Sequence, residues 1–255
     1  MYKLDNDFAT GHYGVPVSVM VVGCGGTGGF VAESLCRLLP AKFQLILVDP
    51  DRVEERNLVR QNFFREDIGK VKSEALALRL SRNYGRPVAY STYPVAMTHV
   101  QGPGIVVGCV DNGLARRDIA ARFKQHHGAW WIDAGNGENY GQVLIGNSDI
   151  GYFQEDKSLC VALPLPTIQK PELLAQKAAA PQLACEQLPE QGPTINLVMA
   201  ALVVEVVRRL IAGTCSWMQL YLDMETGTLH PVMAEPEEVK KIVGPKKVQL
   251  SSGAK

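Results

Sequence analysis

The sequence predicts an α/β fold, a mostly parallel sheet flanked by helices, on three observations. Short apolar runs alternate with stretches of helical spacing. The first run, "VSVMVV", ends in a glycine-rich turn that opens a helix. The next run, "FQLILVD", returns within about 30 residues, the size of a right-handed parallel crossover.

In chain order, residues 17–22 read as the first strand, "GGFVAESLCRLL" as the first helix and residues 43–49 as the second strand. Residues 69–85 form a second helix closed by a glycine, "RPVAYSTY" a third strand and residues 104–110 a fourth. "NGLARRDIAARFKQHHG" predicts a helix ending at Gly128, before the strands "AWWIDAG" and "YGQVLIG". A proline-rich stretch of mixed polarity then reads as a long excursion, a kind of loop that is usually functional or mobile. The helix "TINLVMAALVVEVVRRLIAG" is apolar nearly all round, which predicts burial. Strands "WMQLYLD" and "TLHPV" complete an added antiparallel portion in the C-terminal half. The expected organisation is a single domain over 1–233, with a nucleotide-binding half at about 15–150, the excursion at 151–193 and the helix and final strands at 194–233. Residues 234–255 are charged and read as a flexible tail.

A chain of 255 residues can bury a substantial core, and 26 basic against 26 acidic side chains give no net charge. The totals therefore point to neither a nucleic-acid nor a membrane surface. No run of about 18 apolar residues occurs, and the start "MYKLDNDFATGHYG" lacks a basic then apolar leader, so a soluble cytoplasmic protein is expected. Cys24, Cys36, Cys109, Cys160, Cys185 and Cys215 include no Cys-x-x-Cys pair, so no zinc is expected and most read as reduced core filler.

Gly23, Gly25, Gly26 and Gly28 fit G-x-G-x-x-G between a strand and a helix, where free helix N–H groups face phosphate. Asp49 ends the second strand, where a carboxylate accepts bonds from ribose hydroxyls. The same pattern serves NAD enzymes and ATP enzymes alike, and a glycine-rich turn with a capping Asp is its plain structural reading. Arg60 and Lys72 suit a triphosphate better than a dinucleotide, although a solvated lysine is the ordinary reading of Lys72 alone. Asp111 follows the fourth strand, where it either binds magnesium or caps the next helix together with Asn112. An NAD-dependent oxidoreductase leaves Asn57, Arg60, Gln61, Lys72 and Asp111 unexplained together.

"GCGGTGG", "VDPDRVEERNLVRQNFF", "DIGKVKSEA" and "CVDN" occur in the order seen in ThiF/MoeB-type adenylyltransferases, the ubiquitin-activating enzyme superfamily, which the chain resembles over roughly residues 17 to 233. "WIDAGNGENYGQVLIG" and "LYLDMETGTLHPV" are similar to the ThiF-like proteins of prokaryotic PRTRC-type systems. The resemblance implies a Rossmann-like fold and an ATP- and Mg²⁺-dependent enzyme that adenylates the C-terminal carboxylate of a ubiquitin-like or sulfur-carrier protein. It implies that Asp49 binds ribose and that Asn57, Arg60 and Lys72 contact phosphates. Asp51 and Gln61 belong to the same ATP-binding string, and Asp111 matches the metal-associated Asp. "ACEQLPEQGPTINLVMAALVVEVVRRL" resembles the segment after the excursion in many members, where the cysteine matching Cys185 takes up the activated carrier. Cys160 is the rival thioester residue. The resemblance also implies a homodimer, with a conjugating enzyme and a JAB-type peptidase as further candidate partners. The N-terminal arginine that family dimers lend across to the partner has no clear match; Arg56 and Arg65 are the candidates to stand in. Adenylation of a small molecule, an RNA base or a peptide is the alternative within the same chemistry.

Overall fold

The computed structural model of the protein describes residues 17–99, 103–123, 129–148, 155–156, 159–160, 162–175 and 192–244. Strand β1 (Ser18–Val22) is buried at every position, as a valine-rich strand covered on both faces must be. It leads through the glycine turn into α1 (Gly26–Leu38), and β2 (Gln44–Val48) returns parallel to β1. Helix α2 (Lys72–Tyr84) ends on Gly85, whose φ of 60° is the left-handed cap that glycine adopts without a Cβ penalty. Strand β3 (Val88–Ser91), β4 (Pro103–Gly108), α3 (Gly113–Phe123), β5 (Trp130–Asn136) and β6 (Tyr140–Gly146) follow.

After two short strands, β7 (Glu155–Asp156) and β8 (Leu159–Cys160), come the one-turn helix α4 (Pro166–Gln169), α5 (Pro193–Ala212), β9 (Trp217–Asp223), β10 (Thr228–Met233) and α6 (Pro236–Val243). The main sheet has eight strands in the order β10-β9-β6-β5-β4-β1-β2-β3. β3, β2, β1, β4 and β5 pair in parallel, whereas β6, β9 and β10 add antiparallel, as the sequence predicts. The order reverses between β1 and β4, so a crevice opens beyond their carboxyl ends. Alternation divides the core: Val19 and Val21 face the larger cluster that includes α1 and α5, and Met20 and Val22 face Ile119, Phe123 and Trp131 on the other side.

Three expectations change. α5 is not buried all round: it covers Ile195, Met199, Val203, Val206 and Leu210, while Leu197 remains 48% exposed. It is an outer layer against α1, β5 and β6, so among the described residues only one face finds a neighbour. The front of the excursion is folded down, with Leu163, Leu165 and Leu173 buried and Ser148 bridged to Pro164. The charged stretch after residue 233 contains α6, which buries Val239 and follows the fully buried Ala234. The predicted helix end at Gly128 and the residue Cys185 lie outside the described residues. Among the described residues no helix is long and apolar enough to cross a membrane.

Candidate nucleotide site

A cavity of about 680 Å³ opens at the β1/β4 crevice. Gly23, Gly25, Gly26, Asp49, Asp51, Arg60, Gln61, Lys72 and Asp111 all line it, although they span nearly ninety positions of sequence. Gly23 has φ 88° and its N–H donates to Val48 O at 2.8 Å, which turns the chain out of β1. Gly28 does not line the cavity. A Cβ there would meet Gly23 O at 1.8 Å, so this glycine lets α1 lie close under its own loop.

Asp49 is buried, with Oδ2 accepting from Cys24 N–H at 2.6 Å and Oδ1 from Asp51 N–H at 2.9 Å. The carboxylate thus clamps the glycine loop to the turn after β2. Burial pushes its pKa up, against the pull of the Lys72 ammonium and these N–H donors. Lys72 opens α2, and its Nζ pairs with Asp51 Oδ2 at 3.2 Å, its side chain 11% exposed against 70% for Asp51. Arg60 and Gln61 are set by a tight turn in which Asn57 O accepts both of their backbone N–H groups. Asn57 itself does not line the cavity: it is buried, and its Oδ1 accepts from Glu54 N–H at 2.9 Å. Its observed contacts are those of a loop-forming residue. Gln61 Oε1 is buried without a hydrogen-bond partner among the described residues, an unmet polar atom beside the Gly25 turn.

The two roles open for Asp111 separate in the structure. Asn112 Oδ1 accepts from Ala115 N–H at 2.9 Å and so caps α3, whereas the Asp111 carboxylate stays exposed and, among the described residues, takes only the Asn112 amide at 3.2 Å. Asp111 is therefore available to a cation. Among the described residues no group of three His, Cys, Asp or Glu converges, so a magnesium ion here would need phosphate oxygens and water to complete its shell. The donor set fits a magnesium nucleotide: glycine backbone, two cations, a spare carboxylate and an unmet amide.

Sequence reasoning missed a polar brace behind the loop. Thr27 Oγ1 donates toward Asn136 Oδ1 (3.2 Å) or Asn196 Oδ1 (3.3 Å), Asn136 Nδ2 donates to Asn196 Oδ1 at 3.2 Å, and Asn196 Nδ2 donates to Arg60 O at 3.2 Å. A lone Asn in the apolar start of α5 was its only signal. Also missed was the pair Arg116–Asp133, 1% and 0% exposed, in which Arg116 Nε donates to both carboxylate oxygens at 3.2 and 3.0 Å. Burial raises the Asp133 pKa to about 6 despite that bond. Arg56 and Arg65 do not line the cavity; they pair on the surface with Glu54 and Glu55. Cys24, Cys36, Cys160 and Cys215 are buried and Cys109 is partly so.

The sequence profile of the ThiF family matches residues 16–236. The chain is similar to ubiquitin-like modifier-activating enzyme 5 of Culex quinquefasciatus, 29% identical over 219 residues that cover 78% of this chain and 52% of the relative. It spans about half the length of that relative. Its fold is similar to that of E. coli MccB solved with succinimide, with a TM-score of 0.62 at 19% identity, covering 87% of this chain and 65% of the other. PaaA is similar at a TM-score of 0.61 and 18% identity, over 86% of this chain and 64% of that one.

Proposed function

The chain belongs to the ThiF family, and from that premise we propose that it is an ATP-dependent adenylyltransferase acting on the C-terminal carboxylate of a ubiquitin-like or sulfur-carrier protein. The observation that carries this reading is the convergence of the glycine turn, Asp49, Arg60, Gln61, Lys72 and Asp111 on one cavity at the sheet's crevice. A dinucleotide, with two phosphates already served by the glycine turn, calls for less positive charge than Arg60 and Lys72 bring to one cavity.

In the proposed reaction a carboxylate oxygen attacks the α-phosphorus, the bond to the bridging oxygen breaks, and acyl-adenylate and pyrophosphate form. Lys72, fixed at the head of α2, and Arg60, fixed by the turn at Asn57, oppose the negative charge that grows on the leaving phosphates. Asp49 receives the ribose, and Gln61 offers its unmet oxygen to a nucleotide donor. Asp111 would hold magnesium, which when bound neutralises charge on the phosphates.

The acyl-adenylate is reactive enough to acylate a thiolate, its acyl carbon–oxygen bond breaking as AMP leaves, and Cys185 is the proposed acceptor. We take the chain through the end of α6 as one adenylation domain, past the expected boundary at 233, cytoplasmic and paired as a homodimer, with a conjugating enzyme and a JAB-type peptidase as further proposed partners. The test is direct. ATP with Mg²⁺ should raise the Tm and NAD should not, and a carrier with a free terminal carboxylate should drive ATP–pyrophosphate exchange that the same carrier, amidated, does not. Preference for NAD, or exchange indifferent to amidation, overturns the reading.

A further inference from the structure

The sheet order lays the cavity out as a row. Asp49 and Asp51 lie beyond β2, the glycine turn beyond β1, Asp111 beyond β4, Asn136 at the end of β5 and Gln142 on β6. The nucleotide residues occupy the first three stations. The last two carry a further cation, Lys170, which lines the same cavity from the folded front of the excursion.

Lys170 is built into place. Its Nζ donates to Gln142 Oε1 at 2.5 Å and lies 4.7 Å from the centre of the Tyr221 ring. Gln142 and Tyr221 are direct partners in the β6–β9 register, so one rung of the sheet presents both contacts. Behind them the Tyr221 hydroxyl donates to Gln219 Oε1, and the Gln219 amide donates to Gln169 Oε1, each at 3.0 Å. Gln169 in turn donates to Ile145 O and Pro164 O at 2.8 and 2.7 Å. Among the described residues the two groups that hold the ammonium, Gln142 and Tyr221, are neutral, and no ion pair joins it to a carboxylate. Glu172 lines the same cavity, and its charge adds to burial in raising the Tyr221 pKa.

A half-buried ammonium held only by an amide and a ring keeps donors to spare, and its charge favours an anion in the cavity. The phosphates have cations at the other end. A carboxylate that must approach a polyphosphate is repelled by it, and a cation on the approach side offsets that repulsion. We propose that Lys170, fixed by Gln142 and Tyr221, docks the substrate's main-chain terminal carboxylate in the half of the cavity over β5 and β6. This rests on the adenylation reading for the identity of the anion.

The test follows lysine signals in the full chain by NMR after reductive ¹³C-methylation, with Lys72→Arg and Lys170→Arg assigning the two peaks. A non-hydrolysable ATP analogue with Mg²⁺ should move the Lys72 peak. N-acetylglycylglycine added next should move the Lys170 peak, and its C-terminal amide should not. Lys170→Ala should bind the analogue unchanged and the acid about tenfold or more weakly. A Lys170 peak that follows the nucleotide and ignores the acid assigns this lysine to phosphate and overturns the inference, as does an equal response to acid and amide. Failure of the adenylation reading looks different: the Lys72 peak then ignores the nucleotide, whatever Lys170 does.

Discussion

Lys72 and Asp51 grip one another twice: the Lys72 backbone N–H donates to Asp51 O at 2.8 Å, and its Nζ meets Asp51 Oδ2 at 3.2 Å. The first bond fixes where α2 begins, and the second steers an almost buried ammonium along the cavity wall. Lys72→Ala should therefore lower ATP–pyrophosphate exchange by about 10²-fold or more. Asp51→Ala should cost less, because the backbone bond survives the loss of the carboxylate. Exchange rates measured side by side decide it, and an unimpaired Lys72→Ala variant removes this lysine from the phosphate site.

Asn196 ties four segments together through Thr27, Asn136 and the Arg60 carbonyl while fully buried. Asn196→Leu keeps the size of the side chain but strands those polar groups, an expected loss of about 1–3 kcal/mol. Because Arg60 is one of the groups released, the variant should also bind ATP more weakly. Urea unfolding and calorimetric titration read the two effects separately. Unchanged stability with unchanged ATP affinity would show that the brace is idle.

These first two sites mark the boundary between what was legible in the sequence and what was not. The strands and helices of the nucleotide half follow from apolar period and glycine punctuation, which are local. Asp49, Lys72 and Asp111 sit at element ends, so their convergence follows once the crossover order is known. Asn196 meets Arg60 across 136 positions, a contact that depends on how α5 lies on α1. Composition cannot report that. The same limit explains the misread burial of α5: an apolar helix declares its hydrophobicity, not how many neighbours will cover it. Lys170 was hidden for a related reason, since the two groups that hold it come from strands far apart in sequence.

Asp133 supplies a pH dependence. Its folded pKa is raised to about 6 by burial, above the value for an exposed aspartate. The contribution to stability is therefore fully present below about pH 4 and is lost as pH rises through about 6. Asp133→Asn is uncharged throughout and removes this slope. Urea unfolding between pH 4 and 7 should show the wild type losing roughly 2–3 kcal/mol relative to the variant across that window. Parallel profiles would mean that Arg116 holds Asp133 ionised throughout.

Cysteine chemistry gives the sharpest division among the proposed steps. Cys160 is fully buried in β8, with its backbone N–H donating to Ala234 O at 2.8 Å, so a carrier's adenylate cannot reach its sulfur without unfolding that pair. Cys185 lies outside the described residues and is the proposed acceptor on the family resemblance. Cys185→Ala should keep carrier-driven ATP–pyrophosphate exchange and lose the adduct that reductant cleaves. Cys160→Ala should keep both, at some cost in Tm from the lost packing. Gel mobility with and without reductant reads the adduct. An adduct that survives in Cys185→Ala and disappears in Cys160→Ala reverses the assignment and requires β8 to open during turnover.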